Sequence, residues 1–161
     1  MTGAGLLELA AQTALGPTDP AQMTEAAVAA LASGVDSPAL RMLASLSKDE
    51  LDQAPPLFAE AMNELEIPAP SPQAAVMLLS RISASNVATG RNTPYDGAKR
   101  IWMLCLRLPE GHAPVLDPFV YAASEWEDRP EDRALFNAAI LREAHELLTA
   151  SDMPQQKGQA H

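Results

Sequence analysis

"TPYDGAKRIWMLCLRL", residues 93–108, opens with Thr and Pro and continues in a pattern that repeats every three to four positions. Thr just before a helix offers its hydroxyl to an unpaired N–H of the first turn, and Pro is favoured in that turn because its missing N–H leaves no donor unmet. At about 100° per residue, Tyr95, Ala98, Ile101, Trp102, Cys105, Leu106 and Leu108 share one face, with Asp96, Lys99, Arg100, Met103 and Arg107 opposite. The stretch therefore predicts an amphipathic helix. Trp102 is expected as a core anchor with Cys105 beside it, and Gly97 is expected to admit a neighbouring helix at close range.

The same punctuation recurs outward in both directions. Asp19-Pro20, Ser37-Pro38, Ser71-Pro72, Asp117-Pro118 and, less cleanly, Arg129-Pro130 all read as helix starts. Alternating runs of strand length are missing, β-branched residues are few and aromatics make up 4% of the chain, so sheet is not expected. The expected helices cover 4–15, 20–33, 38–45, 48–66 with a break at Pro55-Pro56, 72–89, 94–108, 118–128 and 130–149. This is an all-α bundle of seven or eight helices. Residues 1–150 are expected to form one domain with a hinge near 68–72, and residues 151–161 a polar tail. Helix 72–89 is apolar around most of its circumference through Ala75, Val76, Leu78, Leu79, Ile82 and Val87, as a central buried helix should be.

Composition narrows the function classes. With 161 residues and 47% hydrophobic content, the chain can bury a core without disulfides or metals. The single cysteine, Cys105, allows no intrachain disulfide and suits a reducing cytoplasm. The start lacks a basic leader, and no run reaches the roughly 18 apolar residues of a membrane span. A cytoplasmic protein without a membrane partner is expected. Charge is uneven: residues 1–70 hold ten acids against Arg41 and Lys48, 2 − 10 = −8, whereas residues 71–161 hold nine Lys/Arg and eleven acids, 9 − 11 = −2. The first half would repel phosphates, so nucleic acid is not expected as its partner, a DNA-associated regulator is the least favoured reading, and a basic protein is favoured.

Two sets of site residues follow. On the helix around 57–66, Glu60 and Glu64 are like charges four residues apart, an arrangement that weakens an isolated helix by a few tenths of a kcal/mol. That pair, with the Lys99, Arg100, Met103, Arg107 stripe, is the candidate partner-binding set. The stripe could equally meet an acidic partner or the acidic half of another copy, so a homo-oligomer stays open. The second set is a polar pocket formed by Asn86, Tyr95, Tyr121, Glu125 and Glu127, which would make the chain a small-ligand binder or an enzyme. Ser83 and Asn86 sit among apolar positions and must find hydrogen-bond partners, for instance Tyr95 or a backbone carbonyl.

Other chemistry is not supported. His145 has Arg142 three residues before it, so the Glu-x-x-His spacing of a di-iron helix fails. It is expected in or beside the core with Ala134, Ala138, Leu141 and Leu148. Phosphate-loop, dinucleotide and nucleophile-elbow motifs are missing from the sequence. No catalytic residue, metal ligand or cofactor is assigned. A helix-turn-helix around Gly34 would have Arg41 as its one cation, thin equipment for reading DNA. Finally, T-P-Y-x-G-A-x-x-I-W at 93–102 followed by A-S-E-W-E at 123–127 resembles a group of small bacterial all-helical proteins with no established activity. The resemblance spans about a quarter of the chain and implies an immunity or accessory role.

Overall fold

The computed structural model describes residues 4–151, and among them all regular structure is helical. The helices are α1 (Ala4–Ala14), α2 (Pro20–Ala32), α3 (Pro38–Ala44), α4 (Ala54–Glu64), α5 (Pro72–Ala88), α6 (Pro94–Cys105), α7 (Asp117–Asp128) and α8 (Arg133–Ser151). Short 3-10 segments at Lys48–Gln53, Pro114–Leu116 and Pro130–Asp132 lead into α4, α7 and α8. The tail expected over 151–161 lies, beyond Ser151, outside the described residues. The chain divides into two compact units at Ala75/Val76, inside α5 and just past the 68–72 stretch.

Helix starts follow the local chemistry. Asp19 accepts from the Ala21 N–H at 3.0 Å, Ser37 from Leu40 at 3.1 Å and Thr93 from Asp96 at 3.1 Å, each just before a helix-opening proline. Pro55 and Pro56 do not break a helix. They stand in the first turn of α4, where two missing N–H groups leave nothing unsatisfied, and the 3-10 segment ends one residue before it.

Helix ends are equally regular, with one exception in residue type. After α2, Val35 N–H bonds the Ala30 carbonyl at 3.0 Å and Gly34 bonds Leu31 at 3.1 Å. After α5, Arg91 bonds Asn86 at 2.8 Å and Gly90 bonds Val87 at 3.1 Å. After α4, Ile67 bonds Met62 at 2.9 Å and Glu66 bonds Asn63 at 3.1 Å. These are Schellman endings, which place one residue in the left-handed region. Gly34 (φ 104°) and Gly90 (φ 83°) do this freely, but at the end of α4 the residue is Glu66 (φ 59°). A side chain there costs on the order of 1 kcal/mol relative to glycine.

In the first unit, Leu6 and Leu9 of α1, Met23, Ala27 and Ala30 of α2, Leu40 and Leu43 of α3, and Phe58, Ala61 and Met62 of α4 form one buried cluster. α2 packs against α1, α3 and α4, and α3 packs against α4. The cluster's alanines are buried with little bulk, while each buried Leu, Met or Phe contributes roughly 1.5–3 kcal/mol.

In the second unit α7 packs against both α6 and α8, and α6 also meets α8. The core takes Ala98, Ile101, Leu104 and Cys105 from α6, Phe119, Ala122 and Ala123 from α7, and Phe136, Ile140, Ala144 and Leu147 from α8. From Val76 to Ala88 no residue of α5 is exposed. Ser83 donates its hydroxyl to the Gly97 carbonyl at 3.0 Å, meeting the expected need for a backbone partner. A Cβ at Gly97 would lie 2.2 Å from Val87 Cγ2, so the glycine does allow α5 and α6 to touch.

Three expectations need correction. α6 ends at Cys105, which turns Leu106 outward to 66% exposure and leaves Leu104 buried in its place. Trp102 is half-buried rather than a core anchor, with the Lys99 ammonium over its ring; Trp126, under Arg133, is half-buried as well. His145 is exposed along with Ala134, Ala138 and Leu141, because α8 buries the neighbouring stripe that carries its bulkiest groups, Phe136 and Ile140. On an alanine-rich helix, volume rather than hydrophobic count selects the inward face.

Candidate functional site

Four of the five residues expected to line a pocket form two pairs. Glu127, near the end of α7, accepts from the Tyr95 hydroxyl, and the same Oε2 lies 2.6 Å from Lys99 Nζ. Tyr95 stacks on Trp126 with centroids 4.0 Å apart and planes inclined by 18°. The Arg133 guanidinium lies 3.8 Å from the Trp126 ring, and its Nε donates to the Trp126 carbonyl at 2.9 Å. The Lys99 and Tyr95 hydrogen bonds hold the Glu127 carboxyl below the usual carboxylate range, while Glu127 in turn raises Tyr95 and Lys99. A general base working near neutrality needs a raised carboxylate. Glu127 is shifted the other way and both its donors are engaged, so this cluster ties α6 to α7.

The second pair is Tyr121 and Glu125, 3.5 Å apart. Glu125 is also 3.1 Å from Arg129, which reaches Asp132 at 2.6 Å and lies over Phe136. Asn86 contributes through its backbone carbonyl, which closes the end of α5. On α6, Lys99 pairs with Glu127, and Arg100 and Met103 are exposed; Leu106 and Arg107, just past the helix end, are exposed as well.

Among the described residues no helix is long and apolar enough to cross a membrane. Nor do three His, Cys, Asp or Glu side chains gather there as a metal site requires. His112 pairs with Asp117 at 2.6 Å, and burial pushes the Cys105 thiol up to about 11.

The acids of the first unit divide by role. Glu64 accepts from the Ala39 N–H at 2.9 Å and so caps α3 from α4. That contact gives the unfavourable Glu60–Glu64 spacing a structural reason. Asp19 caps α2, Glu50 accepts from the Ser47 N–H at 3.0 Å, and Asp36 pairs with Arg41 at 2.7 Å. Glu25, Asp49, Asp52, Glu60 and Glu66 are exposed and form no ion pair among the described residues. Lys48 is the remaining cation of this unit, since Arg41 is engaged.

The first unit also carries a groove between α1 and α4 that the sequence does not announce. Ala10 and Ala14 of α1, Phe58, Ala59 and Met62 of α4, and Ile67 line it, enclosing about 470 Å³. Glu66 shares an adjoining depression with Met62, Asn63, Ile67 and Pro68, all four of which also line the groove. The available signal was I-P-A-P directly after an apolar helix, a segment that cannot continue the helix and so leaves its last apolar turn without a local cover. No family model, curated protein or solved structure matches the chain.

Proposed function

We propose that the chain is a cytoplasmic protein-binding module whose acidic first unit masks a basic surface of a partner, the task of an immunity-like or accessory factor. The observation that carries this reading is the set Glu25, Asp49, Asp52, Glu60 and Glu66, exposed and unpaired with one free lysine in the same unit among the described residues. Charges left unpaired at a surface contribute little to stability, whereas clustered charge of one sign accelerates encounter with an oppositely charged protein. The test is affinity capture from host lysate at low and moderate salt, comparing wild type with a variant carrying amides at all five positions. Basic proteins retained by wild type at low salt and lost from the variant support the reading. Identical proteins captured by both, with the same salt response, sink it.

A further inference from the structure

Among the described residues three helices end on the same backbone motif, and two of them use glycine at the left-handed position. The third uses Glu66, an exposed residue that lines a depression adjoining the groove between α1 and α4. The helix ending forces the left-handed backbone, and residues held in such strain cluster at binding sites. The groove supplies the complementary half of a recognition site: Phe58 and Met62 are buried in its wall, Ala59 is exposed on its rim, and the unit around it carries a net charge of −8. Its volume suits a few apolar side chains, and its acidic mouth favours a cation beside them.

We infer that this groove receives an amphipathic basic helix of the partner protein, with apolar side chains seated against Phe58 and Met62 and a Lys or Arg paired with Glu66. The inference rests on the acidic-surface reading and adds to it a place and a mode of docking. A helix presenting apolar residues at i, i+3, i+4 and i+7 with lysines on its flanks is the form of ligand that meets both halves at once.

The experiment uses the full chain and two fluorescein-labelled peptides, one with leucines at those four spacings and lysines elsewhere, the other with the leucines replaced by serine. Ala59→Phe fills the rim of the groove, and Thr13→Tyr, at a second exposed lining position, serves if the first variant does not fold. Glu66→Gln removes the charge at the mouth, and Asp49→Asn with Asp52→Asn removes two acids that do not line the groove. The leucine peptide is expected to shift the methyl resonances of Ala10, Ala14, Met62 and Ile67 and to lose about tenfold in affinity with Ala59→Phe or Thr13→Tyr. Glu66→Gln should weaken it about threefold or more, and more than the remote pair does.

The inference is overturned if the groove-filling variants bind the leucine peptide as wild type does, or if the serine peptide binds equally well. In that event a loss of affinity in the acid variants would leave the acidic-surface reading standing. If filling the groove weakens binding while none of the acid substitutions does, the acidic reading fails. Concentration-dependent self-association abolished by Ala59→Phe would assign the groove to a second copy and overturn the partner helix.

Discussion

Gly97→Ala is the sharpest test of how α5 and α6 meet. Alanine is the better helix former by about 1 kcal/mol, so on propensity alone the substitution stabilises the protein. The added methyl, however, would lie 2.2 Å from Val87 Cγ2 and 3.5 Å from Ser83 Oγ. Carbon pairs prefer about 3.5–4.0 Å, so Val87 or the α6 backbone must yield by roughly 1.3 Å. Val87 is β-branched and stiff at χ1, and displacing α6 stretches the buried Ser83–Gly97 hydrogen bond. Overpacking costs about 1–3 kcal/mol and a weakened hydrogen bond about 1 kcal/mol. Net of the propensity gain, Gly97→Ala should destabilise by about 1–3 kcal/mol. Urea unfolding followed by tryptophan fluorescence reads this directly, because Trp102 and Trp126 both lie in the second unit. Val87→Ala removes the clashing methyl, so the double variant should be more stable than the summed single effects by about 1–2 kcal/mol. A Gly97→Ala protein more stable than wild type, with no coupling to Val87, would refute the close approach.

Four further outcomes are expected. Glu66→Gly should stabilise the first unit by about 1 kcal/mol in thermal or urea unfolding by relieving the left-handed carboxylate, while abolishing the groove's charge. Glu64→Ala should cost about 0.5–2 kcal/mol, because the Ala39 N–H loses its cap; an unchanged unfolding midpoint would show the cap to be idle. Glu127 is held low chiefly by Lys99 and then by Tyr95, so its contribution is present above the ordinary carboxylate range and lost as pH falls through its lowered value. Tyr95 is raised chiefly by Glu127, so its contribution is present below the ordinary phenol range and lost as pH rises through its raised value. Glu127→Gln should flatten both limbs of the stability–pH profile. The Cys105 thiol, buried and pushed up to about 11, should react with a disulfide reagent at pH 8 only as fast as the protein opens, which urea-dependent labelling rates measure.

Much of the fold was legible because helix starts are local events. Asp19 with Ala21, Ser37 with Leu40 and Thr93 with Asp96 are bonds across two or three residues, and a capping residue followed by proline announces each in the sequence. The close approach at Gly97 and the partner for Ser83 were also readable, since a lone glycine on an apolar helix face and a serine inside an apolar stripe each state a need. Pro55-Pro56 begins a helix rather than breaking one, and the same two residues satisfy either role until the preceding turn is known to be 3-10.

The candidate site was only partly legible. Net charge and the list of acids belong to the sequence alone. Which acids remain free was decided by tertiary contacts: Glu64 is taken by Ala39, twenty-five positions away, and Glu127 by Lys99 and Tyr95. The inward face of α8 was likewise settled by what Phe136 and Ile140 could fill, on a helix whose alanines and leucines occur all round. The groove and the strained Glu66 left almost no sequence trace. A groove is the space between α1 and α4, and a left-handed φ is forced on whichever residue stands where the last helical turn must close. Local hydrogen bonds are specified by neighbours in the chain. Free charges, buried faces and cavities are specified by residues that meet only after it has folded.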